Sequence, residues 1–151
     1  MAQIYIDSPL GFIEIRANDA AITSLAFVKK KSCDELPTHP ILKKCAKQLA
    51  EYFSGKRRDF DLPLELNGTD FQKRVWQALL KVPYGKTASY GDIAKKIRNP
   101  KSSRAVGMAN NRNNIAIVIP CHRVIGGNGK LVGYAGGLEK KQWLLGLEQS
   151  S

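Results

Sequence analysis

Apolar and polar residues alternate over three short stretches near the start of the chain: Ile4-Tyr5-Ile6, Phe12-Ile13-Glu14-Ile15, and Ile22 to Phe27. A period of two is the signature of a strand with one buried face. Pro9-Leu10-Gly11 and Asn18-Asp19 separate them with residues suited to tight turns, so the pattern predicts a small antiparallel sheet. The period then changes. Pro40 suits a first helical position, and Ile41, Cys45, Leu49 and Tyr52/Phe53 recur at helical spacing up to Ser54-Gly55. From Lys56 to Gly68, Phe60, Leu62, Leu64 and Leu66 alternate with polar residues or Pro63. This segment is expected to be an extended linker that packs on the rest.

The second half reads as helical. Thr69-Asp70-Phe71-Gln72 matches a capping box, and Phe71, Val75 and Leu79 mark an apolar face running to about Lys81. Val82-Pro83-Tyr84-Gly85 should end that helix. Ser89-Tyr90-Gly91-Asp92 opens a second helix to about Ile97, and Arg98-Asn99-Pro100-Lys101 supplies a turn. A third helix follows from about Ser102 to Asn110. Two short helices joined this way form a helix-turn-helix pattern, whose second helix normally enters a DNA groove. Next, Ile115-Ala116-Ile117-Val118-Ile119 is five apolar residues, four of them β-branched, and predicts a buried strand. Pro120 lacks the N–H that a sheet ladder needs, so the strand should stop there.

Charge changes the picture most. The 151 residues carry a net +11. Residues 1–65 hold 10 Lys+Arg against 9 Asp+Glu, whereas residues 66–151 hold 14 against 4. Positive charge confined to one half suggests a polyanion-binding domain, with nucleic acid the first candidate and an anionic membrane surface the second. A solvated basic surface kept for solubility is the plainer alternative. No stretch approaches the ~20 apolar residues of a membrane span, and the N-terminus lacks a signal-peptide pattern. Three cysteines (Cys33, Cys45, Cys121) form no disulfide framework, which points to a reducing compartment, the cytoplasm, or the nucleus of a eukaryote. With 43% hydrophobic and 25% charged residues, the chain has globular values and room for one domain or two small ones.

The candidate chemistry sits in Pro120-Cys121-His122-Arg123-Val124. A thiol must become thiolate to attack, and neighbouring imidazole and guanidinium groups favour that. Cys121 and His122 are adjacent, and adjacent side chains of an extended chain point to opposite faces, so a water is expected to relay the proton between them. The third predicted helix is unusual in carrying Ser102, Ser103, Ala105, Gly107 and Ala109, with Arg104 its long charged side chain. An ordinary helix is about 10–12 Å across, and the minor groove about 6 Å wide. Small residues would let this backbone press into that narrower groove; close packing on neighbouring helices explains them equally. Cys33, His39 and Cys45 raise a metal question, but the spacing fits no standard zinc signature and lacks a fourth ligand, so no metal or other cofactor is expected. Cys45 is assigned to the core, and Trp76 and Trp143 to packing.

These residues resemble the methylated-DNA–protein-cysteine methyltransferases, the O6-alkylguanine-DNA alkyltransferases. The resemblance rests on Pro120 to Val124, the upstream Ser103-Arg104-Ala105-Val106-Gly107 and Asn113, and the downstream Gly133-Tyr134-Ala135-Gly136-Gly137-Leu138 with Glu148. It covers the second half from about Phe71. It implies an α+β fold, with a small ribonuclease-H-like sheet-and-helix domain over residues 1–66. A helical, winged-helix-like alkyltransferase domain with a DNA-binding helix-turn-helix would occupy residues 67–151.

The resemblance further implies roles. Cys121 is the alkyl acceptor, His122 the base acting through water, Glu148 the acid that orients it, and Asn113 the brace of the turn. Tyr90 helps rotate the target nucleotide, and Arg104 fills the gap left in the base stack. Ser102, Ser103, Ala105 and Gly107 meet the DNA. Tyr134, Ala135, Gly133 and Val124 line the guanine pocket, the carbonyls of Cys121 and Val124 accepting from the base. The implied partner is double-stranded DNA bearing O6-alkylguanine, with O4-alkylthymine a second candidate lesion, bound through the minor groove by a monomer without a membrane. Asn114-Ile115-Ala116 departs from a proline-bearing family segment, and Ala135 from a serine of some relatives. Two other classes stay open: a non-enzymatic lesion-binding alkyltransferase-like protein, against which Cys121 argues, and a Cys-His-Glu thiol hydrolase, which leaves the basic half and Arg104 unexplained.

Overall fold

The N-terminal strands form because each carries one apolar face and ends in a turn that its own residues stabilise. In a computed structural model, which describes residues 2–31, 39–127, 129, 134 and 137–150, the chain divides into two compact units, Met1–Leu66 and Asn67–Ser151. In the first, β1 (Ala2–Ser8), β2 (Gly11–Ala17) and β3 (Ile22–Val28) make an antiparallel sheet in that order. Ser8 pairs with Gly11 across a two-residue hairpin, and Gly11 takes φ +106°, a conformation open to glycine. In the second turn, the Asn18 side-chain oxygen accepts from the amides of Ala20 and Ala21, both at 2.8 Å.

Helix α1 (Pro40–Phe53) starts on Pro40 and is capped by the His39 ring nitrogen, which accepts from Ile41 N at 3.3 Å. Its buried stripe is Leu42, Cys45, Gln48, Leu49 and Tyr52, packed against β1 and β2 over Ile4, Ile13 and Ile15. Ile41, expected on that stripe, is half-buried instead. Burial pushes the Cys45 thiol up to about 12, so it serves packing and not chemistry. The 56–68 segment packs as expected. Gln48 exchanges two hydrogen bonds with the Asp61 backbone, and Ile22 bonds Pro63 O (2.8 Å) and Glu65 N (2.9 Å), which appends the segment beside β3. Cys33 lies outside the described residues.

The second unit holds α2 (Asp70–Leu79), β4 (Ala88–Ser89), α3 (Tyr90–Lys96), α4 (Ser103–Asn111), a 3₁₀ turn at Cys121–Arg123, β5 (Val124–Ile125) and α5 (Leu138–Ser150). Capping boxes Thr69/Gln72 and Ser89/Asp92 start α2 and α3, satisfying amides that a helix start leaves orphaned. Helices α2, α3 and α4 pack around Val75, Trp76, Leu79, Ile93, Ala94 and Val106. Trp76 is a packing residue: it is buried and its indole donates to Ala109 O at 2.9 Å. Six residues, 97–102, join α3 to α4. They begin with a Schellman end, in which Asn99 N bonds Ala94 O and Arg98 N bonds Lys95 O. Arg98 takes φ +61°, the position where glycine is usual and a side chain costs about 1–2 kcal/mol. No described helix is long and apolar enough to cross a membrane.

The apolar run 115–119 is not a strand. It is a buried turn: Val118 N bonds Ala116 O, Ile119 N bonds Ile115 O, and Ile117 sits at φ +70°. Burial of Ile115, Ile117, Val118 and Ile119 accounts for the composition, and among the described strands none pairs with the run as a ladder. The Asn113 side chain replaces that ladder, donating to Ile119 O (2.9 Å) and Ile115 O (3.3 Å) and accepting from Ile115 N (3.0 Å). A β-branched residue in left-handed backbone is strained by about 1–3 kcal/mol, here at Ile117, three residues before Pro120.

Candidate active site

Pro120 does end the run, by local geometry and not as the edge of a sheet. At φ −80°, ψ +63° it centres an inverse γ-turn in which Cys121 N bonds Ile119 O at 2.7 Å. Cys121, His122 and Arg123 then form one 3₁₀ turn and not extended chain. With three residues per turn, neighbouring side chains diverge by about 120°, so the two reactive groups still point apart. The parallel pairing of Ala88 with Val124 and Ser89 with Ile125 fastens the start of α3 to the end of this turn. That pairing brings Tyr90, the first residue of α3, next to the cysteine: the charge of a Cys121 thiolate, after burial itself, raises the Tyr90 phenol.

Cys121 is 5% exposed and His122 fully buried. The imidazole Nε2 lies 2.7 Å from Glu148 Oε2. That carboxylate has no proton to give, so Nε2–H donates and Nδ1 carries the free lone pair. Burial keeps the imidazole below its usual range, the Glu148 hydrogen bond and charge working against it, so the ring is neutral at neutral pH. His122 Nδ1 has no protein partner among the described residues, and neither do Asn110 Oδ1 and Tyr134 Oη. Buried polar atoms are normally satisfied, and leaving one alone costs about 1–3 kcal/mol. Three in one unit, all on residues around Cys121, mark a site shaped for groups that come from elsewhere.

The guanidinium of Arg123 does not serve the thiol. Nε and Nη2 clamp Glu148 at 2.8 and 3.1 Å, Nη1 donates to Val82 O at 2.7 Å, and the group stacks 5.6 Å from the Tyr84 ring centre. The cation that faces Cys121 is Lys141, fully buried on α5, its Nζ donating to Val124 O at 2.5 Å. Burial pushes the thiol up to about 11; an Asn113 hydrogen bond and the Lys141 charge pull the other way. Cys121 is therefore a neutral thiol at pH 7 and needs a base when it reacts. The Tyr134 phenol, raised mainly by burial and then by Cys121 and Glu148, stays protonated as a donor.

Of the residues expected in the site, the structure brings together Cys121, His122, Glu148, Asn113, Tyr90, Tyr134 and Val124. Gly133, Ala135 and Gly136 lie outside the described residues. The carbonyl expected to meet guanine at Cys121 already accepts from Val124 N and from Asn110 Nδ2 at 3.3 Å, which uses both lone pairs. Asn110 and Lys141 were missed. Both break an apolar stripe at a core position, Asn110 beside Val106 and Ala109, and Lys141 in register with Leu144 and Glu148. Polar residues in helical register with a core are the signal that would have found them.

On α4, Val106, Ala109 and Asn110 face inward, while Arg104, Ala105 and Met108 are exposed and Ser102 and Ser103 half-buried. Gly107 faces the Tyr90 ring, where an added Cβ would lie 3.7 Å away, an ordinary contact. Packing therefore does not by itself demand glycine there.

Family models match nearly the whole chain: "6-O-methylguanine DNA methyltransferase, ribonuclease-like domain" over residues 1–66 and the DNA binding domain of the same name over residues 70–150. The methylated-DNA–protein-cysteine methyltransferase of Methanosarcina acetivorans is 50% identical, covering 95% of this chain and 96% of that one. Its counterpart from Mycolicibacterium paratuberculosis is 47% identical, covering 95% and 90%. Among solved structures, that of Mycobacterium tuberculosis OGT in complex with DNA superposes with a TM-score of 0.90 at 47% identity, covering 98% of this chain and 92% of the other. An O6-methylguanine DNA methyltransferase from Methanococcus jannaschii gives 0.73 at 32%, covering 99% and 94%.

Proposed function

The chain belongs to the 6-O-methylguanine DNA methyltransferase family, and from that premise we propose how its own residues carry out direct-reversal repair of DNA. The protein moves an alkyl group from O6 of guanine in double-stranded DNA onto Cys121, once. The observation that carries this reading is a buried, neutral thiol beside an imidazole whose free Nδ1 has no protein partner and whose Nε2 is held by a carboxylate. A hydrolase triad would need a route for water to release the product. A thioether offers none, so the product stays on the protein.

The target carbon lies inside a stacked duplex, and extruding its nucleotide costs a few kcal/mol. Helix α4 enters the minor groove with Ser102, Ser103, Ala105 and Gly107 against it. Arg104 occupies the vacated stack and offsets part of that cost, while Tyr90 helps turn the nucleotide out. In the pocket the thiol proton passes through a bridging water to His122 Nδ1, and Glu148 stabilises the imidazolium that forms. Sulfur attacks the alkyl carbon, the carbon–O6 bond breaks, and its electron pair stays on O6. Tyr134 Oη donates to O6 as charge develops there. The proton lost by the thiol is matched by the proton the guanine anion gains. Burial holds the Lys141 ammonium below its usual range, and the charge of the Cys121 thiolate it faces draws it back up, so the two groups favour each other's charged forms. The protein acts as a monomer, in the cytoplasm. Because Cys121 is present, lesion binding without transfer is not favoured.

Duplex DNA carrying one O6-methylguanine should add one methylene equivalent to the intact mass, in one peptide, at one equivalent per protein. Repeated turnover with an unmarked sulfur would reject the reaction. Arg104→Ala should slow repair in duplex DNA by about ten- to a hundredfold, as expected for loss of about 1–3 kcal/mol of stacking. Its reaction with free O6-benzylguanine should stay unchanged, and equal losses on both substrates would reject the stacking role.

A further inference from the structure

Away from the thiol, α2 and the end of α3 enclose an open cavity of about 540 Å³. Four cations line it, Arg74 on α2 and Lys81 two residues past its end, with Lys96 in the last turn of α3 and Arg98 two residues beyond, together with Gln77 and no acidic residue. Each of these side chains is exposed. Among the described residues none of the four makes a salt bridge. Asp92, one turn earlier on α3, feels the charge of Lys96, but its carboxylate is committed to capping Ser89. Arg74 donates one guanidinium nitrogen to Ile97 O, which fixes the group at the rim and leaves its other donors available.

Gathering four like charges around one hollow opposes folding unless an anion joins them. Arg98 sharpens the point. It occupies the left-handed end of α3, where glycine would relieve the backbone and the Schellman bonds would remain. An arginine kept there at a conformational cost asks for a use of its side chain. The cavity also sits where α3 hands over to α4, and in helix-turn-helix proteins the first helix of the pair crosses the nucleic-acid backbone. We propose that the Arg74–Lys81–Lys96–Arg98 cavity is a second DNA contact, which takes backbone phosphates of the duplex that α4 engages and fixes register without reading sequence or lesion. The inference rests on the DNA reading above.

The test is the double variant Lys81→Gln/Arg98→Gly, in which glycine suits the backbone, so loss of fold is not expected. Binding to undamaged and O6-methylguanine duplexes is measured against salt. Each lost phosphate contact should lower the slope of log K against log salt by about one, so the variant should lose about two units, equally on both duplexes. Its rate with free O6-benzylguanine should match the wild type. A variant slope equal to the wild-type slope would overturn the proposal, as would a loss confined to the damaged duplex. Titration with inorganic phosphate forms the second arm: weaker phosphate binding by the variant with an unchanged duplex slope would make the cavity a free-anion site and reject the DNA contact. A wild-type protein without salt-dependent duplex binding would instead sink the DNA reading itself.

Discussion

Cys121→Ala should bring transfer of label from O6-methylguanine DNA down to background while duplex binding survives. The argument is one of alternatives. Cys45 is fully buried in the N-terminal unit with its thiol pushed up to about 12, so it cannot take over. Neither His122 Nδ1 nor Tyr134 Oη can replace the acceptor without losing its part as base or donor. Affinity for DNA comes largely from phosphate contacts, and none of these involves the thiol. Truncating one sulfur in a tight site should change stability by about 1 kcal/mol. Peptide mapping of the variant after exposure to damaged DNA checks the result. Label on any other peptide, Cys33 included, would show a second acceptor and break the single-thiol account.

Glu148→Gln carries the second largest expected effect, and it reaches stability and rate together. Glu148 is 2% exposed and accepts hydrogen bonds from His122 Nε2 and from Arg123 Nε and Nη2. An amide of the same shape offers one oxygen and turns an N–H towards at least one of those donors. Arg123 would then keep its buried charge with the carboxylate's negative charge gone, holding Val82 O, the Tyr84 ring and at most one neutral amide oxygen among the described residues. Breaking a buried pair from one side costs about 3–5 kcal/mol, read as a lower urea midpoint. The rate effect has a separate cause. The Glu148 charge and hydrogen bond are what raise the basicity of His122 against burial, so without them the imidazole becomes a poorer base. Transfer should slow by about 10²–10⁴-fold at a temperature where the variant is folded, with duplex affinity unchanged. Wild-type transfer by the folded variant would show that His122 works without its carboxylate.

The elements that read true from sequence are those stabilised by near neighbours. The turns around Asn18, the Pro40 start of α1 and both capping boxes depend on hydrogen bonds spanning two or three residues, and such bonds are written into local sequence. The stretch 115–119 misled for the same reason in reverse. A continuous apolar run reports burial on every side but not the backbone path, and the path there was set by one asparagine amide bonding three main-chain groups.

Arg123 and Lys141 show the limit most clearly. Adjacency in sequence suggested that Arg123 would charge the site beside Cys121, yet its fork faces α5 and closes on Glu148. The lysine that does face the thiol is twenty residues away, and it arrives only because α5 lays Lys141, Leu144 and Glu148 along one buried stripe.

By itself, the sequence determined which chemistry is available: one candidate thiol with a base beside it, a basic half, and a slim helix after a short turn. Tertiary structure decided which charge meets which atom and which polar atoms are left unpaired for substrate. The division has a physical cause. Residue identity and local hydrogen bonding act over a few positions along the chain, whereas the Coulomb and desolvation effects that tune a buried site act through space between segments that only folding brings together.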